Sequence, residues 1–380
     1  MSFLQSLVAA FKGGGSRVPL ARAFASPWFF TEPGGGRQTY EYQRAVRAAY
    51  LENPVAQRAV RLVAEGIGGA PLLPVDPGLQ ALVGATSGGQ SLLETAASQL
   101  LLHGNAFIQV LKDAAGHPVE LYALRPERVT VLAGADGWPE AFGYRAGERT
   151  LTIPLLDHDA APGLIHVRGF HPADDHYGAG CLAAADRALA THNAASAWNR
   201  ALLENAARPS GALVHDAGEG GALTPDQFDR LRRELAEAFS GQGNAGRPML
   251  LEGGLRWQAL SLTPADMDFA TLKAAAARDI ALAFGVPPML LGLPGDSTYA
   301  NYREANRALW RLTLLPLAAK LLGALGEGLA TWFPGEHLAI DLDRVPALAE
   351  DRERLWAQVS SADFLSSAEK RALLGLPAQS

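Results

Sequence analysis

The sequence predicts an α+β fold in which a first half mixing helices with an antiparallel sheet is followed by a half dominated by helices. Between Asn105 and Arg168 a series of short segments is rich in β-branched and aromatic residues, separated by turn signals such as Ala115-Gly116 and Asp136-Gly137. After Gly180 the apolar residues recur at helical spacing for most of the chain. With 380 residues, 48% of them hydrophobic and 19% charged, the chain can bury more than one core, which excludes wholesale disorder.

Residues 1–39 are broken by Gly13 to Gly15, Pro19, Pro27 and Gly34 to Gly36 and read as an arm carrying Trp28, Phe29 and Phe30. From Tyr40 to Val63 two helical pieces are expected, separated at Asn53-Pro54, and Ser91 to Leu102 gives another. The segments 105–111, 119–124, 128–132, 141–145, 151–153 and 164–168 then predict one antiparallel sheet packed on those helices.

A long helix follows at about Gly180 to Ala207. Leu182, Leu189, Trp198 and Leu202 give it only a thin apolar stripe around a small, polar middle, so it fits contact with copies of itself better than the floor of one core. The next helix opens with Thr224 as N-cap, Pro225 at the first position and Gln227 closing a capping box; Phe228, Leu231, Leu235 and Phe239 form its apolar face. A third opens at Thr263-Pro264, carries Phe269, Leu272, Ala276 and Ile280 on one face, and stops at Gly285 before Pro287 and Pro288. The stretch 285–300 reads as a long non-helical loop of the kind that carries function. Beyond it comes a long helix that Pro316 should kink or interrupt, then a strand-like HLAIDLD from His337 and a short helical tail, 351–359 and 368–374.

Charge and chemistry narrow the function classes. The net charge of −6 argues against tight, phosphate-neutralising nucleic-acid binding. A single cysteine, Cys181, excludes a disulfide framework and paired-Cys redox or zinc sites, which favours a cytosolic origin. The opening residues do not read as a signal peptide, and Arg311, Pro316, Lys320 and Glu327 argue against a spanning segment in Leu309 to Ala330, so no membrane partner is expected. His166, His171, Asp174, Asp175 and His176 form the densest cluster of ligand types and would serve a metal-dependent hydrolase, but their spacing matches no metal motif, and a polar surface loop explains them better. Cys181 at a helix start could have a lowered thiol pKa, although a structural cysteine is the plainer reading. There is no GxSxG elbow, and GLPGDST (292–298) lacks the lysine of a phosphate cradle, so neither a catalytic site nor a cofactor is expected.

Several strings in order, HGNAFIQVLKD (103–113), LYALRPERVTV (121–131), RPSGALV (208–214) and GVPPMLLGLPGDSTYANYREANRALWRLTLLPL (285–317), resemble the portal proteins of tailed bacteriophages. The likeness is to the compact portal family also found in prophages and gene transfer agents, and it spans roughly residues 40–375. It implies a portal-type fold in a ring of about twelve copies at one capsid vertex, a non-enzymatic channel for double-stranded DNA. The segments it implies are a wing at 40–177, stem helices at 178–207 and 263–285, a clip at 208–262, a tunnel loop at 286–300, a kinked wing helix at 301–336 and a small crown at 337–380.

By the same resemblance, Gly295, Asp296, Ser297, Thr298, Tyr299, Asn301 and Arg303 would face DNA. Phe228, Arg232, Arg233 and Glu237 would lie in the clip, where the terminase large subunit and later a head–tail adaptor dock; the major capsid protein would be a further partner. A minor capsid or adaptor protein is the other non-enzymatic alternative, though adaptors are usually shorter.

Overall fold

The computed structural model describes residues 42–157, 161–204, 211–215, 224–239, 255–259, 269–293 and 299–376. The arm at 1–39, the start of the third helix at Thr263-Pro264 and loop residues Gly295 to Thr298 lie outside these residues.

A helical stretch at 42–51 (α1), π-helical over Arg47–Leu51, leads to α2 (Pro54–Gly68). The expected break at Asn53-Pro54 is present: the Asn53 side chain accepts hydrogen bonds from Val55 N and Ala56 N, and Pro54 occupies the first position, where no N–H is needed. Ala56, Ala59, Val60, Val63, Ala64 and Ile67 bury one face of α2. A short α3 (Pro77–Gly84), capped by Asp76, was not anticipated. The hairpin β1 (Thr86–Ser87) and β2 (Gln90–Ser91) precedes α4 (Leu92–His103), which ends at Gly104 with φ +82.

The strand segments are where the sequence places them, but they form two sheets, not one. β3 (Asn105–Lys112) lies between β4 (Pro118–Leu124) and β8 (Leu164–Arg168), while β5 (Val129–Ala133), β6 (Pro139–Ala146) and β7 (Arg149–Pro154) form a separate antiparallel sheet. The division falls at Pro126–Arg128, a 3₁₀ turn that ends pairing along β4 and carries the chain into the second sheet. Alternation along β3 then serves two cores. Ala106, Ile108 and Val110 join α2 and α4 in the main core, whereas Phe107 faces Val129 and Phe142 of the second sheet together with Leu124 and Leu164.

The second half opens with α5 (Cys181–Glu204), which packs along α7 (Phe269–Ala283). Between them lie an antiparallel ribbon, β9 (Gly211–His215) with β10 (Leu255–Ala259), and α6 (Pro225–Phe239). The capping box of α6 is formed as expected: Thr224 N donates to Gln227 Oε1 at 2.9 Å and Gln227 N to Thr224 Oγ1 at 3.4 Å. After Gly285 (φ +66) the stretch expected to be wholly non-helical contains a 3₁₀ turn, Pro288–Leu291, and gives way at Tyr299 to α8 (Tyr299–Leu309).

The effect of Pro316 differs from a plain break. A π-helical turn, Trp310–Leu314, joins α8 to α9 (Leu315–Leu329), with Pro316 in the first turn of α9. The widened turn takes up the missing N–H and the ring's conflict with the carbonyl four residues earlier, so the helix continues through the proline. The run Ala300–Leu329 is apolar and long enough to cross a membrane by composition, but here Leu314, Ala318, Leu321, Leu322, Leu325 and Leu329 are buried in the main core.

HLAIDLD does not become a strand. Its pairing is the single bridge Leu72↔Ile340, flanked by Leu73 N→Ala339 O at 2.9 Å and Asp341 N→Pro71 O at 2.8 Å, because Asp341 caps the turn Leu342–Arg344. Leu338, Ile340, Val345 and Leu348 belong to the main core, and the chain ends in α10 (Ala349–Ser360) and α11 (Ser367–Leu374).

Candidate functional site

The first half is fastened to the helix pair α5–α7 at two polar joints. At the root of α5, Asn105 is fully buried and holds three segments together. Its Oδ1 accepts from Gly178 N at 2.7 Å and lies 3.0 Å from His166 Nε2, while its Nδ2 donates to Gly178 O at 3.0 Å and meets His103 Nδ1 at 3.1 Å. Glycines let the backbones come this close. A Cβ on Gly104 would lie 2.3 Å from Ala179 C, one on Gly178 2.2 Å from Gly104 O, and one on Gly180 2.7 Å from Leu102 O. The HGNAF string, one of those that carry the family likeness, therefore has a local physical cause.

The second joint lies in the middle of α5. Asn53 Nδ2 donates to Asn193 Oδ1 at 2.8 Å and lies 3.1 Å from His192 Nδ1, and Asn193 Nδ2 donates to Ala48 O at 2.9 Å. The cap of α2 and the π-turn of α1 are thus tied to α5. Asn53 Nδ2 has no acceptor capacity, so His192 Nδ1 must be unprotonated; burial first, then Lys273, holds its pKa below the ordinary histidine value. Farther along, Trp198 stacks on Phe269 with ring centroids 5.5 Å apart.

The loop that starts after Gly285 is anchored on both flanks. At its start, Thr313 Oγ1 in the π-turn donates to Gly285 O at 2.6 Å. At its end, Arg303 and Arg307 of α8 reach Glu350 of α10, each at 2.6 Å, with Arg307 also 3.6 Å from Asp351. Arg303, expected to face DNA, is therefore already paired with a carboxylate. Tyr299 is the first residue of α8, and Asn301 is exposed on it. In α6, Phe228 is 56% exposed and Arg232 and Arg233 face solvent on the same helix; Glu237 lies on that helix too, its side chain outside the description.

The histidine and carboxylate cluster is not assembled into a metal centre: among the described residues no three His, Cys, Asp or Glu side chains converge. His166 stacks on Phe107 at 4.2 Å between the two sheets, and burial drives its pKa down to about 3. His171 Nδ1 accepts from Ala173 N, and Asp174 accepts from His176 N and Tyr177 N, so these residues stabilise the turns of their own loop. The Arg168 guanidinium bonds the Asp175 carbonyl. The Cys181 thiol is pushed up by burial, opposite to the lowering conceivable at a helix start, because desolvation outweighs the helix end.

The family model described as "Phage portal protein" matches residues 54–375 of the chain. The chain belongs to the phage portal protein family. Within this family setting, a protein of Rickettsia felis is 42% identical over 350 residues, which cover 87% of this chain and 88% of that one. Among solved structures, a chain in the neck of a native gene transfer agent particle computed with C12 symmetry is 47% identical, with a TM-score of 0.68, covering 91% of this chain and 95% of that one. An HK97-family phage portal protein from Corynebacterium diphtheriae, 18% identical with a TM-score of 0.58 over 78% of this chain and 96% of that one, shares the fold. The portal-type α+β fold expected from the sequence is thus the one observed. Sequence reasoning named Asn53 only as a helix break and did not single out Asn105 or His192, polar residues that hold α5; the signal at Asn105 was an Asn placed between Gly104 and an apolar run.

Proposed function

We propose that about twelve copies of this chain form the ring-shaped channel at one capsid vertex, through which double-stranded DNA enters and leaves the particle. The observation that carries the reading is the 47% identity, over nine-tenths of the chain, to a component of a particle neck computed with C12 symmetry. The chain supplies walls and docking surfaces and no chemical step; the packaging ATPase is a separate partner. It is assembled in the bacterial cytoplasm and resides at the portal vertex of a phage or gene transfer agent particle.

In this reading α5 and α7 form the channel stem, and residues 208–262 form the clip, where α6 offers Phe228, Arg232, Arg233 and Glu237 to the terminase large subunit and then to a head–tail adaptor. The first half is the wing nearest the major capsid protein, and residues 337–380 are a small crown whose base is built into the wing core. The tunnel loop meets DNA through Gly295, Asp296, Ser297, Thr298, Tyr299 and Asn301. With Arg303 neutralised by Glu350, this rim presents little free positive charge, which suits a surface past which phosphates must slide, since each free cation adds affinity for them.

Negative-stain microscopy of the purified chain tests the central reading: rings with a central hole are expected, and a protein that stays monomeric at micromolar concentration refutes it. For the loop, Thr298→Ala combined with Tyr299→Ala is expected to leave ring formation intact and to alter packaged-DNA length or retention. Unchanged length and retention in assembled particles would remove the loop from DNA contact.

A further inference from the structure

The outer faces of the stem pair carry a complementary pattern that nothing within the subunit uses. On α7, Leu272, Ala275, Asp279 and Leu282 are all exposed at alternating three- and four-residue spacing, Leu272 by 47% and Leu282 by 79%, opposite the buried Ala276, Ala277 and Ile280. On α5, Ala183, Arg187, Ala190, Ala194 and Ala197 are exposed at the same spacing, opposite Leu182, Leu189 and His192. One face offers leucine knobs flanked by the adjacent Arg278 and Asp279, both exposed. The other offers an alanine floor, shallow enough for helix axes to approach to about 8 Å, flanked by the adjacent Asp186 and Arg187, both exposed, so that the acid–base order on one face meets the base–acid order on the other. Neither Arg187 nor Asp279 has a partner among the described residues.

We infer that these two faces bind each other between neighbouring copies, α7 of one subunit seating on α5 of the next with Arg187 paired to Asp279; the inference rests on the ring reading above. Three features support it. Trp198 lies against Phe269 and His192 beside Lys273, so the helices run in opposite senses and bring Arg187 level with Asp279. Rotation about a ring axis preserves height, so residues level within one subunit stay level with those of its neighbour when the stem runs along the axis. The interface is head-to-tail: the two faces differ, and the opposite charges sit at matching positions, which fixes register. DNA is a poorer occupant, because leucines and an alanine floor on which each base, Arg187 and Arg278, stands beside an acid, Asp186 and Asp279, offer phosphates almost nothing.

The same levels place Ala190 opposite Ala275, which gives a test by cross-linking. In a Cys181→Ala background, Ala190→Cys with Ala275→Cys is expected, on mild oxidation of assembled rings, to yield a ladder of subunit multiples on non-reducing denaturing gels. Either cysteine alone should give none. Rings that are visible in micrographs yet do not cross-link, or a single-cysteine variant that dimerises, overturn the interface and leave the ring reading standing. If the unsubstituted chain forms no rings, the ring reading fails first. As a second measure, Arg187→Glu should raise the concentration for half-assembly by about tenfold, and adding Asp279→Arg should bring it back to within about threefold. A double variant no better than the single one, with subunits folded by circular dichroism, also overturns the pairing.

Discussion

Gly104→Ala is expected to abolish the stable fold, with a loss exceeding about 4 kcal/mol or no soluble protein at all. The added Cβ would sit 2.3 Å from Ala179 C, 2.4 Å from Gly180 N and 2.5 Å from Gly178 O, all of them backbone atoms that cannot swing aside. Moving them would break the Asn105 bonds to Gly178 and leave buried polar groups of β3 and the α5 root without partners. A second glycine supplies the control. Gly335 has the same φ of +82 but open space around it, so Gly335→Ala carries only the left-handed backbone penalty, about 1 kcal/mol. Denaturant unfolding followed by circular dichroism measures both. If Gly104→Ala cost no more than Gly335→Ala, the packed glycine joint would not determine how α5 is held. Asn105→Ala should fall between the two, because it removes the hub without forcing backbones apart.

The same joint shows what was legible in the sequence and what was not. Helix starts were readable where capping is local, as at Asn53 and Thr224, which stand next to the N–H groups they satisfy, whereas the Ser366 cap of α11 was not picked out. Strands were readable from alternation, to within a residue or two for β3 and β8. Which strands share a sheet was not readable, because pairing depends on contacts between residues distant in sequence, and Pro126 ends β4 in a way that an ordinary loop could have matched. HLAIDLD misled for a related reason. Its alternation is real and buries Leu338 and Ile340, but Asp341 turns the backbone away after one bridge. Of the candidate site, the loop and the capped α6 were visible as punctuation by Gly, Pro and Thr. The Arg303–Glu350 pair and the Asn53–His192 contact were not, since their partners are 47 and 139 residues apart.

Acid should weaken the subunit well before its carboxylates titrate, and the buried histidines are the cause. His103 and His166 are held neutral by burial, their pKa values lowered to about 4 and about 3, with Arg168 and His176 adding positive charge around His166. His103 Nδ1 faces the Asn105 amide and Tyr42 packs edge-on against its ring, so a proton there displaces a hydrogen bond without gaining a carboxylate. The sign follows from which state binds protons more readily. An unfolded histidine takes up its proton near pH 6.5, the folded ones only near pH 4 and pH 3, so their stabilisation is complete above about 6.5 and declines as pH falls below it. At pH 5 the loss relative to pH 8 is about 2 kcal/mol for each histidine, about 4 kcal/mol together, and His192 adds in the same direction. Denaturant midpoints at pH 8, 6.5 and 5, at fixed protein concentration, measure the slope. His166→Asn should lower stability at pH 8 yet flatten the dependence between pH 6.5 and 5 by roughly half, since one of the two main proton-binding groups of the unfolded state is gone. The two effects separate a packing role from a titrating one. A variant destabilised by the same amount at every pH would show that protonation of His166 is not what acid acts on.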